Sequence, residues 1–368
     1  MSTNLRIPGP TPCPDDVLAA VGGQMINHRG PEFAAISRRV ADGLRWAFRT
    51  QNEVMIATTS GTGGLEFAVV NTLSPGDRVL AVSIGSFGDR FASIAEAYGA
   101  DVIRHRVESG QAAEPAEVER LLREHPDVAA VLVTHNETST GVTNPLHEIA
   151  RVVRAHGALL LVDAVSSLGS IPVAVDDWGL DVVVSGSQKG WMVPPGLAFV
   201  SFSGRAWKAN EIARMPRFYF DARKHLESQQ KGQTPWTPAV SIYFGLDVAL
   251  EKMQAEGLEA VYTRHQQVGE YTRAMLRGLG LELFADPRYA SNTVTTVKAP
   301  PAVDVSLMLR KLREEQGVVL AGGQGPLQGK IFRVGHLGLV DTADIDGVKR
   351  ALQVVLAELA PATRHTGA

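Results

Sequence analysis

Between residues 54 and 203, seven short runs rich in Val, Leu, Ile and Ala alternate with stretches of helical character. They are VMIAT at 54–58, VLAVS at 79–83, VIRHR at 102–106, AAVLVTH at 129–135, ALLLVDA at 158–164, DVVVSG at 181–186 and AFVSFS at 198–203. Runs this continuously apolar suit strands buried on both faces, because a strand with one wet face would alternate apolar with polar residues. The segments between them repeat at helix spacing, as Leu65, Ala68, Val69 and Leu73 do, or carry helix boundaries, as in the stretch from Pro145 to Gly157. Strand and helix in alternation predict an α/β fold, with a mostly parallel seven-stranded sheet and helices on both of its faces.

The pattern changes after about residue 204. A polar, aromatic stretch containing FYFDARKH and QQKGQTPWTP leads into a helix expected from about Ser241 to Glu256, and TRAMLRGLGLELF then opens a smaller α+β region. The expected division is an extended arm at 1–15, packing on the small domain or on a partner, a large domain at 16–256 and a small C-terminal domain at 257–368. A chain of 368 residues suits about two domains.

Composition narrows the function classes. Apolar residues are 45% and charged residues 20%, so the chain has a core to bury. The net charge of −3 comes from interspersed acids and bases, with no basic stripe for nucleic acid or an anionic membrane. The one cysteine, Cys13, lies between two prolines and excludes an intrachain disulfide framework, which suits a reducing compartment. The first residues lack a signal-peptide layout, and no apolar run approaches the ~18 residues that span a bilayer. A soluble, cytoplasmic protein is expected. The histidines show no HExxH or other metal spacing and there is no GxSxG elbow, so no metal is expected.

Three segments carry chemistry. In Ser185-Gly186-Ser187-Gln188-Lys189, a lysine follows the carboxyl end of an apolar strand among small residues, where it can approach a ligand closely. Burial there would disfavour the ammonium and free the amine as a nucleophile toward an aldehyde; a solvated surface lysine is the alternative. Asp163 ends the strand LLLVD and asks for a cationic partner. A protonated pyridine nitrogen would serve, and so would a helix cap or loop hydrogen bond. Finally, Ser60-Gly61-Thr62-Gly63-Gly64 joins a strand to a helix, where bared N–H groups and the helix N-terminus favour an anion such as phosphate. The segment is no dinucleotide fingerprint, since the last glycine of GxGxxG would fall at Glu66.

Together these segments resemble the class V, fold-type I pyridoxal-phosphate aminotransferases, and within them the alanine/serine–glyoxylate aminotransferase group. RIPGPTPCP, SGTGGLEFAVVN, THNETSTG, LLLVDAVSSLG, SGSQKGWMVPPG and IFRVGHLG carry the likeness, with Lys189 following Asp163 by 26 residues. The resemblance implies that Lys189 holds pyridoxal 5'-phosphate as a Schiff base and, once released, shuttles a proton. Asp163 would pair with the ring nitrogen, Val165 would pack on one ring face, and Phe87 would stack where the family often has Trp. Thr62, Gly63, Gly64 and Gln188 would hold the phosphate, without the His that the family often has at the place of Gly64. Thr138 would hydrogen-bond near the ring substituents, and Arg333 would bind the substrate carboxylate through its two-pronged guanidinium.

The resemblance also implies a homodimer with shared sites. Gln233, Thr234 or Thr237 would reach the neighbour's phosphate, and His28 and Arg29 would reach the partner's substrate. Gly9, in a Pro-Gly-Pro turn, would allow close approach to the substrate carboxylate. The implied reaction is ping-pong transamination from alanine, serine or aspartate to glyoxylate or pyruvate. Aminoethylphosphonate–pyruvate transaminase and a lyase of the same fold are the alternatives; a cysteine desulfurase would need a cysteine late in the chain, where there is none. A scaffold without turnover would not require Lys189, Asp163 and Arg333 together.

Overall fold

In the computed structural model the described residues are 3–301 and 303–359; both ends of the expected division, residues 1–2 and 360–368, lie outside them. The seven apolar runs form one sheet. Its strands are β1 (Val54–Thr58), β2 (Arg78–Ser83), β3 (Asp101–Arg106), β4 (Ala130–Thr134), β5 (Leu159–Asp163), β6 (Val182–Gly186) and β7 (Leu197–Phe202), in the spatial order β1-β7-β6-β5-β4-β2-β3. All neighbouring pairs are parallel except those of β7, which runs antiparallel to β1 and β6. β3 is an edge strand and departs from the apolar pattern: Arg104 and Arg106 are on it and it is only half-buried, with no strand beyond it to cover them.

Alternate residues of the strands feed two separate cores. Leu80, Val82, Val131, Val133 and Val162 face a layer built by α1 (Pro31–Phe48), α4 (Leu146–His156) and α5 (Val240–Glu256). Val79, Ala81, Leu132, Leu161 and Val184 face α2 (Gly61–Thr72) and α3 (Ser86–Ala97). A period of two with apolar residues on both faces leaves no wet side, which is why the runs read as unbroken in sequence. Each such Val or Leu contributes roughly 1.5–3 kcal/mol by leaving water.

A third core lies further along the chain. α6 (Leu258–Gly278), α7 (Val305–Gln316) and α8 (Thr342–Leu359) pack on an antiparallel sheet, β8 (Val294–Lys298), β9 (Ala321–Gly322) and β10 (Ile331–Gly335), in the order β8-β10-β9. Val297, Phe332, Val334, Met308 and Leu312 are at its centre. The arm joins this unit: Asn4 and Leu5 pair in parallel with Val318 and Val319, and Arg6 bonds Asp344 at 2.7 Å. Gly335 N–H, at the end of β10, donates to Arg6 O, and from Ile7 the chain is led to the carboxyl edge of the large sheet, where Pro8 O meets Lys189. No helix among the described residues is long and apolar enough to cross a membrane.

Candidate active site

The parallel strands all end on one side, and the residues singled out from sequence gather there because β5, β6, β4 and β2 deliver them in register. Asp163 closes β5 and is buried; its Oδ1 accepts Val165 N–H at 3.0 Å, and Thr134, its register partner at the end of β4, lies 3.5 Å from Oδ2. Burial pushes the Asp163 carboxyl up to about 6. Lys189 follows β6 and is 9% exposed. Burial pulls its ammonium down to about 8, opposed by the attraction of Asp163 and aided by the repulsion of Arg333. Lys189 Nζ donates to Pro8 O at 2.6 Å, so the arm covers the amine. Gly9 is required at that crossing: its φ is +121°, and a Cβ there would lie 2.5 Å from Lys189 Nζ.

Lys189 opens into a cavity of about 620 Å³ that Gly9, Phe87, Thr138 and Arg333 also line. Arg333, from β10 of the small unit, is fixed by two backbone acceptors, Gly322 O at 2.8 Å and Thr138 O at 3.1 Å. Nη2 has no hydrogen bond among the described residues, so the guanidinium is aimed and still has donors to give. Burial lowers its proton affinity while Glu137 raises it.

The turn into α2 has the features of an anion site. Ser60 caps the helix, accepting Gly63 N–H at 3.4 Å, while the N–H groups of Gly61 and Thr62 have no acceptor among the described residues. Gly64 does not join them. Its N–H is given to Ser60 O at 3.0 Å, and a Cβ there would point into the sheet, 2.7 Å from Val184 Cγ1. A larger side chain at this position would therefore need the sheet to shift, whatever happens at the anion. The Gln188 amide is buried with its Oε1 unpartnered, and with the amide rotated its Nε2 would donate to an anion at this turn. Val165 packs close over Gly61, where an added Cβ would meet its methyls at 2.9 Å.

His28, Arg29, Gln233, Thr234 and Thr237 do not line the Lys189 cavity. They form a group of their own: Arg29 donates to Thr234 O at 2.6 Å and to Gln233 Oε1 at 3.2 Å, and the Thr234 hydroxyl turns back to Trp236 O. His28 adjoins that group in sequence, and Thr237 borders a small cleft with Thr234 and Trp236.

Two residues escaped the sequence reading. Glu137, wholly buried, accepts from Phe87 N–H at 2.9 Å, Gly88 N–H at 3.1 Å, Ser139 N–H at 3.0 Å and the Ser139 hydroxyl at 2.6 Å. Burial raises its pKa against those four bonds, and an acceptor-only carboxylate matches four donors. It caps α3 from outside the helix and so fixes Phe87. Its signal lay inside HNETSTG, but spacing alone does not distinguish a buried acid from a solvated one. Arg90 lies with its guanidinium 4.7 Å from the Phe87 ring and donates to Thr62 Oγ1 at 3.1 Å, linking the aromatic wall to the anion turn.

The family description "Aminotransferase class-V" matches residues 8–334. The chain belongs to the class V aminotransferases. A relative from Paracoccus denitrificans named L-aspartate–glyoxylate aminotransferase is 39% identical, covering 96% of this chain and 91% of its own. A protein from a Synechococcus strain named as the small subunit of a soluble hydrogenase is 48% identical, covering 96% of this chain and 93% of its own. Among solved structures, an alanine–glyoxylate aminotransferase from a Nostoc species superposes with a TM-score of 0.93 at 33% identity, covering 97% of this chain and 96% of that one. The sequence has one cysteine, and the described residues contain no group of three His, Cys, Asp or Glu placed to hold a metal ion.

The cofactor of this aminotransferase is pyridoxal phosphate, as its family and structural neighbours imply. The residues present fit it. Asp163 is a buried carboxylate with no ion pair among the described residues, burial brings the Lys189 amine down to about 8, and the α2 turn has free N–H groups with the Gln188 amide nearby in the fold.

Proposed function

We propose that this class V aminotransferase moves the amino group of alanine, serine or aspartate to glyoxylate or pyruvate, as a homodimer with shared sites. One observation carries the reading: a buried amine and a buried carboxylate stand at the ends of adjacent parallel strands, in a cavity that Arg333 also lines. When bound, the cofactor supplies the electron sink that weakens the bond to the Cα proton. The protein's own side chains supply the rest. Lys189 Nζ would hold the cofactor's aldehyde end and, with its amine free, would take and return the Cα proton; burial already brings it down to about 8. Asp163 would supply the charge that keeps the ring nitrogen protonated, Thr62, Gly63 and the Gln188 amide would hold the phosphate, Val165 and Phe87 would pack on the ring, and Thr138 would bond its substituents. Arg333 receives the α-carboxylate and so sets which Cα bond faces Lys189.

Within one chain, His28, Arg29, Gln233, Thr234 and Thr237 do not line that chain's Lys189 cavity, which supports their service to the partner's site. Exposed aromatics beside them point the same way: Phe218 is 69% exposed and stacks on Trp236 at 4.9 Å. In this reading residues 16–256 form the cofactor-binding unit, 257–368 the unit that brings Arg333, and 1–15 the arm covering Lys189. The charge balance and Cys13 support a cytoplasmic setting.

Mixing holoenzyme with alanine, serine or aspartate and no acceptor tests the reaction. Conversion of the cofactor to its amine form, one oxo acid released per site, is the expected result. Continuing release of ammonia or of a side-chain fragment would replace the transaminase reading with a lyase.

A further inference from the structure

The cavity has a second basic wall. Helix α7 turns Val305, Met308 and Leu312 into the core of the small unit. The adjoining stripe, Ser306, Leu309, Arg310 and Arg313, follows the i, i+3, i+4, i+7 spacing of one helix face and lines the same cavity as Lys189 and Arg333.

Arg310 and Arg313 are exposed and make no ion pair or hydrogen bond among the described residues, whereas Lys311 between them is paired with Glu315 and Glu358. Two like charges three residues apart on a helix repel one another, and an anion seated between them relieves that. Among the described residues Glu314 is the only carboxylate lining the cavity, against Lys189, Arg310, Arg313 and Arg333. Arg333 is aimed by its two carbonyl acceptors and matches one carboxylate. A donor with a single carboxylate would leave the α7 arginines unmatched, while a second carboxylate on the donor's side chain would offer them a counter-charge.

We propose that Arg310 and Arg313 bind the side-chain carboxylate of an acidic amino acid, which makes aspartate or a close dicarboxylic analogue the preferred donor over alanine and serine. This rests on the aminotransferase reading and refines its donor. The two arginines are specificity determinants: they select by charge complementarity at the rim, while Arg333 fixes the end of the molecule that reacts. Their exposure keeps each contribution modest, and salt should screen it.

Two measurements on holoenzyme test this. In single-turnover half-reactions, the ratio of kcat/KM for L-aspartate to that for L-alanine should exceed one and fall by about tenfold or more in R310A/R313A, with R310K/R313K recovering most of it. By calorimetry, succinate should bind about tenfold more tightly than propionate, and that preference should vanish in R310A/R313A and weaken with added salt. A ratio that favours alanine, or one that the double substitution leaves unchanged, overturns the proposal while leaving the transaminase reading intact. Failure of every amino acid to convert the cofactor overturns both.

Discussion

Lys189 and Asp163 are each buried with a charge to satisfy, and a buried charge is costly unless something opposite meets it. Both groups consequently titrate toward neutrality, the amine near 8 and the acid near 6. The sign for reactivity follows from the amine's protonation. Below about 8 the group is mostly ammonium and inert, and above it the free amine predominates. Adding pyridoxal phosphate to cofactor-free protein should thus give a rate of covalent attachment that rises through about pH 8. A rise only near the ordinary lysine value of about 10.4 would mean a solvated side chain. Lys189→Ala should lower turnover by about 10²–10⁴-fold in steady-state assays, the range for losing a positioned acid–base group. The pair was legible in sequence because each residue ends or follows an unbroken apolar strand. Glu137 was not, because what makes it matter is four donors brought by the first turn of α3 and by Ser139.

At the scale of elements, the site is an edge where strand ends, a capped helix and a covering arm meet. Glu137→Ala would leave the Phe87 and Gly88 N–H groups at the start of α3 without their acceptor. Unpaired buried donors cost about 1–3 kcal/mol, so the urea midpoint should fall and Phe87 should lose its fixed position. An unchanged midpoint would show that other groups cap α3. Gly9→Ala tests the arm. The added methyl would fall within 2.6 Å of Lys189 Nζ and Cδ, at a φ that side chains rarely adopt. Activity should drop steeply while far-UV circular dichroism stays native, whereas wild-type rates would mean the arm leaves Lys189 in solution. The seven strands could be placed from sequence within a residue or two because burial on both faces writes a local signal. The reversal of β7 could not, since AFVSFS reads the same in either direction. The place of Gly64 was hidden too, because helix phase decides whether it faces the anion or the sheet.

The whole molecule is where sequence is weakest, since which chain completes which site depends on contacts between copies. If residues 233–237 serve the neighbour, Lys189→Ala and Thr234→Ala/Thr237→Ala chains, each of low activity, should regain roughly a quarter of wild-type activity when refolded together, because half the dimers hold one intact site. No recovery would mean that each chain completes its own site. The transamination turns on one amine. Borohydride reduction of the holoenzyme, followed by digestion and mass spectrometry, should place the reduced cofactor on the peptide that carries Lys189. A reduced cofactor that washes away, or that is recovered on another lysine, would contradict it.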